Sequence, residues 1–264
     1  MTGMANPELL EEACSLLEKD VLRHLVALKM LNVYGAVAEI QIKRKQSDWA
    51  LLVRLPVTAL HWDRKFYPTA AASVIIAGTS PDLETALLST LPGERLVVKT
   101  SEEEIGRTLV ARGAALQISI LSFTRGAGAP PVDAAPGVMS ADTLDHTGVI
   151  MFGHNGYDAD ELEKYFHRGA RRFWIEEEGH PVSACFVFQN YRTIWEIAGL
   201  FTEPARRGRG LARKVVQSAL AFIDEQGLIP RYQVKDDNAP SIALARSLGL
   251  EEFLRQRHYL WERG

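Results

Sequence analysis

The chain has 264 residues, of which 47% are hydrophobic and 24% are charged, and its formal net charge is −3. This composition predicts a folded protein, long enough for two domains of about 130 residues each. The mild negative charge gives no general attraction to nucleic acid, so we expect no nucleic-acid partner.

Cysteines, histidines and apolar runs narrow the class of protein further. Cys14 and Cys185 are the two cysteines, which is too few for a disulfide framework and fits a reducing cytosol. No apolar run reaches the ~18 residues that a membrane span needs, and Met1–Glu18 lacks a signal-peptide pattern. The His and Cys spacings match no metal motif. We therefore expect a cytoplasmic protein without a membrane partner or a metal.

The first half of the chain, residues 1–125, is predicted to form an α+β domain. It begins with a helix over Pro7–Leu31, and two later helices start near Ser80 and Ser101. The predicted strands cover Ala36–Ile42, Trp49–Leu55, Ala72–Ile76, Arg95–Lys99 and Ala115–Phe123. Because this half contains no glycine-rich anion loop, we do not expect catalysis to reside there.

A linker over residues 126–138 is predicted to separate the two halves, because residues 124–137 contain three Gly and three Pro. The second domain, residues 139–264, begins with a helix and then follows the order β-β-β-α-β-α-β. Its helices cover Ala159–Arg168, Leu211–Gln226 and Pro240–Leu248, and its strands cover Arg172–Glu176, Ser183–Gln189, Ile194–Phe201, Arg231–Val234 and Glu252–Trp261.

The segment Thr202–Ala212, between the third of these strands and the long helix, has the composition of a phosphate-binding loop. Gly208 and Gly210 allow a tight turn, and the first N–H groups of the helix and its dipole favour an anion. The cations around the loop are Arg206, Arg207, Arg209, Arg213 and Lys214. The spacing is not that of a P-loop and fits a dinucleotide fingerprint poorly. A nucleic-acid patch is disfavoured because no aromatics are interleaved with the arginines.

This segment resembles the Arg/Gln-x-x-Gly-x-Gly/Ala signature of the GCN5-related N-acetyltransferases (GNAT), filled here by Arg207, Gly210 and Ala212. In that family the signature binds the pyrophosphate of acetyl-coenzyme A (acetyl-CoA). The later stretch Val234–Leu250 resembles the family's Asn-x-x-Ala-x-x-Leu-Tyr-x-x-x-Gly-Phe segment. It matches at Asn238, Leu244 and Gly249.

The resemblance implies a fold and an activity. The fold is an α+β domain with a mixed, mostly antiparallel sheet, and the first half would be a degenerate copy that shapes the acceptor site. The activity is N-acetyl transfer from acetyl-CoA, or transfer from another acyl-CoA, to a primary amine by direct attack in a ternary complex. The acceptor would be a small-molecule amine, an amino acid or a peptide, and the metal-free chemistry needs no further cofactor. The alternative is a catalytically inactive CoA-binding regulatory protein.

The resemblance also implies the roles of individual residues. Phe201 and Thr202 would bind pantetheine through their backbone, and Asn238 would bind its amide. The pyrophosphate cradle would consist of Arg207, Gly208, Arg209, Gly210, Leu211 and Ala212. Ala245 replaces the tyrosine that often protonates the departing thiolate. This leaves Tyr232, Tyr259, His258 and Cys185 as alternative donors, although each lies on a predicted strand where a packed side chain is commoner.

Glu196 is the predicted general base. Strand alternation places it on one face with Ile194, Ala198 and Leu200, and partial desolvation makes a carboxylate more basic. The alternative is a structural glutamate that is salt-bridged to an arginine such as Arg192.

A narrower resemblance, to glycine N-acyltransferase-like proteins, depends on Leu28–Val37 and on the position of Glu196 eleven residues before Arg207.

Overall fold

The computed structural model describes residues 6–126 and 128–262. The helices are α1 (Pro7–Leu17), α2 (Leu25–Tyr34), α3 (His61–Phe66), α4 (Pro81–Leu88), α5 (Glu103–Ala111), α6 (His146–Gly153), α7 (Ala159–His167), α8 (Leu211–Glu225) and α9 (Ala239–Ser247). The strands are β1 (Glu39–Lys45), β2 (Asp48–Pro56), β3 (Ala72–Gly78), β4 (Arg95–Thr100), β5 (Ala115–Arg125), β6 (Met139–Ala141), β7 (Arg171–Glu177), β8 (His180–Tyr191), β9 (Ile194–Thr202), β10 (Ile229–Lys235) and β11 (Leu250–Glu262). Within the described residues, no helix is both long enough and apolar enough to cross a bilayer.

The chain divides into two compact units that do not coincide with its two sequence halves. The first unit runs to Ile120 and also includes the residues from Leu254 onward, and the second spans Leu121–Phe253. The predicted borders at 125 and 139 therefore differ from the borders of these units. The difference arises because β5 and β11 each contribute residues to both units.

In the first unit the strand order is β1-β2-β3-β4-β11. β1 and β3 are antiparallel to β2, β4 is parallel to β3, and β11 is antiparallel to β4. Side chains from β2, β3, β4, α4 and α5 form one core cluster. The predicted helix Pro7–Leu31 is wrong as a single element, because a 3₁₀ turn over Glu18–Asp20 separates α1 from α2.

In the second unit the strand order is β5-β10-β9-β8-β7-β6. The pairs β6–β7, β7–β8 and β8–β9 are antiparallel, whereas β9–β10 is parallel. The prediction of a mixed, mostly antiparallel sheet is thus confirmed. One face packs against α8 in an apolar core, and the other packs against α6 and α7. Sequence reasoning missed β6, α3 and α6, all of which are short.

The segment predicted as a linker is anchored to α8. The backbone N–H of Val132 donates to Asp224 Oδ2 (3.2 Å), and that of Ala135 donates to Ser218 Oγ (3.0 Å). Gln217 Nε2 donates to the carbonyl of Asp133 (2.9 Å), and Val132 packs against the core beneath the helix. These bonds tie the described part of this Gly- and Pro-rich segment to the second unit.

A β-bulge at Gly199 shapes the end of β9. Phe186 pairs with Ala198 and Ala184 pairs with Phe201, so Gly199 and Leu200 together face a single residue of β8. Gly199 has φ +63°, and a Cβ there would lie 2.6 Å from Cε1 of Phe186. The extra residue shifts the alternation of side chains, and Leu200 consequently packs on the α8 face. The expectation that Leu200 shares a face with Glu196 and Ala198 was therefore wrong.

Gly199→Ala should destabilise the protein, because the new methyl meets Phe186 and an L-residue is strained at this φ. We expect the free energy of unfolding to fall by roughly 2–4 kcal/mol, measured by denaturant titration. Gly153→Ala is the matched control, since a Cβ at Gly153 meets nothing within 4 Å and its φ is negative. Equal stability of the two variants would contradict this account of the bulge.

The first unit contains a buried ion pair between Lys99 and Asp63. Lys99 Nζ lies 2.7 and 2.6 Å from the two carboxylate oxygens, and each side chain is 3% exposed. Burial lowers the pKa of Lys99, while Asp63 opposes this shift. The pair is a structural element, since removal of one partner would leave the other charge buried alone.

Asp63→Asn should therefore lower the free energy of unfolding by about 3–5 kcal/mol in the same titration. The double variant Asp63→Leu/Lys99→Met should recover most of this loss. Glu103→Gln breaks an exposed pair with Arg107 and should change stability by at most about 1 kcal/mol. A loss in Asp63→Asn no larger than that of Glu103→Gln would show that the buried pair contributes little.

Candidate functional site

The candidate site lies where β9 and β10 diverge. The two strands pair in parallel only from Ile194 with Ile229 to Ile197 with Tyr232. Beyond this point β9 continues to Thr202 and β10 to Lys235, and a cleft of about 820 Å³ opens between them. Its walls come from β9, β10, the loop before α8, the first turns of α8 and α9, and the turn after α6.

The predicted anion cradle lies along one side of this cleft. Gly208 and Gly210 have φ +78° and +77°, which a glycine adopts without strain. Gly210 is the N-cap of α8, and the N–H of Lys214 donates to its carbonyl (3.2 Å). The N–H groups of residues 211–213 precede this bond and are the orphan donors of the helix start. Of the cradle residues, Arg207, Gly208, Gly210, Leu211 and Ala212 line the cleft.

The arginines of the cradle loop do not all face the cleft. Glu177, at the end of β7, binds Arg206 (Nε–Oε2 3.2 Å) and Arg209 (Nη2–Oε1 2.9 Å). Arg213 donates to the carbonyl and hydroxyl of Ser247 at the end of α9 (both 2.7 Å). The cations that line the cleft are Arg206, Arg207 and Lys235. The cradle thus combines backbone donors with fewer charges than the sequence suggested.

The residues predicted to bind pantetheine line the same cleft. Phe201 stacks on His154 with ring centroids 4.2 Å apart, and Arg207 Nε donates to the carbonyl of Thr202 (3.1 Å). Asn238 is the N-cap of α9, where its Oδ1 accepts the N–H of Ser241 (3.2 Å). This leaves the amide nitrogen of Asn238 as its donor group toward the cleft.

Glu196 lies at the apex of the divergence, within the pairs that join β9 to β10. It is 6% exposed and lines the cleft. Its Oε2 accepts a hydrogen bond from Asn190 Nδ2 and one from Arg231 Nη1 (2.8 Å). Neither of these bonds uses Oε1. The salt bridge of the alternative interpretation is present, but its partner is Arg231, the residue opposite on β10, and not Arg192 on the β8–β9 turn.

Arg231 is itself fixed by two further hydrogen bonds. Its Nε and Nη2 donate to Ser122 Oγ on β5 (3.2 and 3.1 Å), and its side chain is 4% exposed. Asn190 lies where the β8–β9 register shifts between Gln189 and Tyr191, which turns its side chain toward Glu196. Sequence reasoning found neither partner, because both depend on the strand register.

Of the four alternative proton donors, only Tyr232 lines the cleft. Its hydroxyl is 2.6 Å from that of Ser241 on α9. Cys185 is fully buried on the α8 face, and burial raises the pKa of its thiol. His258 and Tyr259 belong to the first unit and are not among the residues that line the cleft. Ala245, at the usual tyrosine position, is 0% exposed in the core.

Several residues of the cleft carried no recognised sequence signal. His154, Asn155 and Tyr157 follow α6, and Asn155 Nδ2 donates to the carbonyl of Leu200 (3.2 Å). Gly199 had an available signal, since an isolated glycine within a strand pattern indicates a bulge or a close approach.

Comparison with known proteins agrees with this geometry. Residues 140–250 match the model of the Acetyltransferase (GNAT) family. A GCN5-related N-acetyltransferase from Sphaerobacter thermophilus shares 13% identity at TM-score 0.62, covering 97% of this chain and 92% of its own. A Drosophila protein shares 13% identity at TM-score 0.62, covering 99% and 100%. A tandem GNAT protein from the clavulanic acid biosynthesis pathway shares 12% identity at TM-score 0.57, covering 99% and 97%.

At these identities the likeness to solved structures is one of fold. No curated protein matches the chain by sequence. The family match covers α6 to α9 and the strands between them, which include the cradle and Glu196. The match identifies residues 140–250 as a GNAT acetyltransferase domain.

Proposed function

We propose that this protein is an acyl-CoA-dependent N-acyltransferase, most simply an N-acetyltransferase that acts on a primary amine. The observation that carries the proposal is the backbone cradle of α8 at one end of the β9–β10 cleft, with the carboxylate of Glu196 at its apex. A phosphate-bearing ligand in the cradle would extend its pantetheine arm between the diverging strands. Its thioester would then approach Glu196.

The residues fit this substrate group by group. The N–H groups at the start of α8 suit a pyrophosphate, and Arg206, Arg207 and Lys235 add positive charge beside it. Beyond Ile197, the edge of β9 that β10 has left offers backbone N–H and C=O groups to the pantetheine amides. The amide nitrogen of Asn238 adds a further donor.

In the reaction, an ammonium group would lose a proton to Glu196 Oε1, the oxygen that Asn190 and Arg231 leave open. The neutral amine would then attack the thioester carbonyl, and the C–S bond would break as the amide forms. Backbone N–H groups of β9 would stabilise the oxyanion. Because Arg231 and Asn190 hold Oε2, the carboxylate keeps one orientation through the cycle.

The proposed acceptor is defined only by class: it is a small-molecule amine, an amino acid or a peptide. The narrower likeness to glycine N-acyltransferase-like proteins stays a prediction. Its matching stretch lies in α2 and the turn before β1. A screen of primary amines with acetyl-CoA and longer acyl-CoAs, read as release of CoA thiol, tests the acceptor and the acyl length together.

The cradle can be tested by adding a charge at Gly210. Calorimetric titration of the native chain with CoA and acetyl-CoA should give micromolar dissociation constants, and Gly210→Glu should repel the pyrophosphate. Gly210→Gln is the matched control, because it carries the same strain at φ +77° and nearly the same volume without the charge. We expect Gly210→Glu to bind CoA at least about tenfold more weakly than Gly210→Gln does. High salt should reduce this difference in affinity, because it screens the added charge.

Equal affinities of these two variants would argue against a pyrophosphate in the cradle. Failure of the native protein to bind either ligand would overturn the proposed function.

Glu196→Gln tests the base. The variant keeps an oxygen for Arg231 but cannot take a proton, so amine-dependent thiol release should fall by about 10²–10⁴-fold. The dissociation constant for CoA should stay within about twofold, because only the base has changed. Glu225→Gln, an exposed change at the end of α8, is the control and should retain native turnover. Native turnover in Glu196→Gln would assign the residue a structural role.

A further inference from the structure

The molecule has an unassigned pair of hydroxyl groups at the apex of the cleft. Neighbouring residues on a strand point to opposite faces, and on β10 the side chain of Arg231 turns toward Glu196. The next residue, Tyr232, therefore points to the face covered by α8 and α9, where it belongs to the core cluster beneath these helices. Tyr232 pairs with Ile197, at the last step before the strands diverge.

Ser241 meets Tyr232 from the first turn of α9. The two oxygens are 2.6 Å apart, and Ser241 is held in place through its N–H by Asn238 Oδ1 (3.2 Å). Two hydroxyl groups that share one hydrogen bond hold two protons between them. One proton lies in the shared bond, so whichever group donates, the other keeps an O–H for a third atom. Both residues line the cleft, so a ligand bound there can supply this third atom.

The pair lies across the sheet from the predicted base. Glu196 approaches the apex from the α6–α7 face, and the hydroxyl pair approaches it from the α8–α9 face. A thioester between them would have a proton acceptor on one side and a proton donor on the other. Burial raises the pKa of Tyr232 to about 12, so the phenol retains its proton at neutral pH.

We propose that Tyr232 and Ser241 together donate the proton to the departing CoA sulfur, in place of the tyrosine that is absent at Ala245. The inference rests on the proposed function, since it needs a thioester in the cleft. As the C–S bond breaks, its electron pair stays on sulfur and an O–H proton of the pair moves to it. As the amide forms, the nitrogen loses its second proton to solvent. The hydroxyl pair regains one proton from solvent, and Glu196 releases the first ammonium proton to solvent, so the cycle releases one proton overall.

The test uses the full-length chain and three variants: Tyr232→Phe, Ser241→Ala and Ser241→Thr. With an amine from the acceptor screen, Tyr232→Phe should lower kcat by about 10²-fold or more, with KM for acetyl-CoA within about threefold. Ser241→Ala should cause a smaller loss, because it leaves the phenol of Tyr232, which is a stronger acid than a serine hydroxyl. Ser241→Thr restores a hydroxyl group and should return kcat toward the native value.

A binding measurement tests the same pair without turnover. A donor aimed at sulfur favours the thiolate, so the native dissociation constant for CoA should tighten as the pH rises through the titration of its thiol. Tyr232→Phe should abolish this tightening. The S-methyl thioether of CoA cannot ionise and is the control for other pH effects.

The outcomes separate the two proposals. Native kcat and native pH dependence in both Tyr232→Phe and Ser241→Ala would overturn the hydroxyl pair and leave the transferase intact. If the native protein binds acetyl-CoA but acts on no amine, the proposed transferase function is overturned. The pH dependence of CoA binding would still test whether Tyr232 and Ser241 donate to the CoA sulfur. If Tyr232→Phe fails to fold, Ser241→Ala on the surface-proximal turn of α9 carries both measurements.

Discussion

The end of the parallel pairing between β9 and β10 is the constraint on which the rest of the site depends. A buried strand edge that loses its neighbour exposes N–H and C=O groups that must find other partners. Here the loss begins after Ile197 and Tyr232, and the bulge at Gly199 turns β9 further out of register. A ligand with amide groups along an extended arm would satisfy such an edge as a strand would. The fold would therefore supply much of the affinity for the proposed ligand without dedicated side chains.

Where β9 and β10 diverge, different polar side chains lie on the two faces of the sheet. On one face, Glu196, Arg231, Asn190 and Ser122 form a buried network whose members fix one another. Such a network costs desolvation energy and brings little net stability, but it holds a carboxylate in one position. On the other face the environment is the apolar core of α8, interrupted by the hydroxyl groups of Tyr232 and Ser241. Because the proposed acid and the proposed base lie on opposite faces, they cannot neutralise each other directly.

Sequence reasoning predicted the parts of the site that depend on short, local stretches of sequence. The glycines before α8, the N-cap Asn238 and the strand that carries Glu196 all follow from short patterns with a local physical cause. The partners of Glu196 follow from the register of three strands, which no local pattern encodes. The position of Leu200 was wrong because one inserted residue reverses the alternation. Helix α6 was missed because its eight residues include two glycines, which weaken a helical pattern.

In each unit antiparallel pairs lead to one parallel pair, β3–β4 or β9–β10, whose two strands are joined through a helix, α4 or α8. Among the described residues, only the loop before α8 has the two positive-φ glycines of the cradle. In the first unit β3 leads into α4 through Thr79 and Ser80, with proline at the first helical position, where one of the orphan N–H donors is lost. The family resemblance implied that this half is a degenerate copy, and its lack of a glycine-rich loop predicted that catalysis does not reside there. The proline gives that expectation a physical basis, since the helix start offers fewer donors to an anion.

The placement of β11 affects how the chain can fold during synthesis. Its residues from Arg257 pair with β4, which is made some 150 residues earlier on the ribosome. The sheet of the first unit therefore stays open at β4 until the second unit has been translated. Domains usually fold as units while synthesis proceeds, and unpaired strand edges invite wrong partners in the interval. In this protein β11 completes the first sheet only after Leu121–Phe253 has been synthesised, so the first unit cannot complete its sheet before that synthesis.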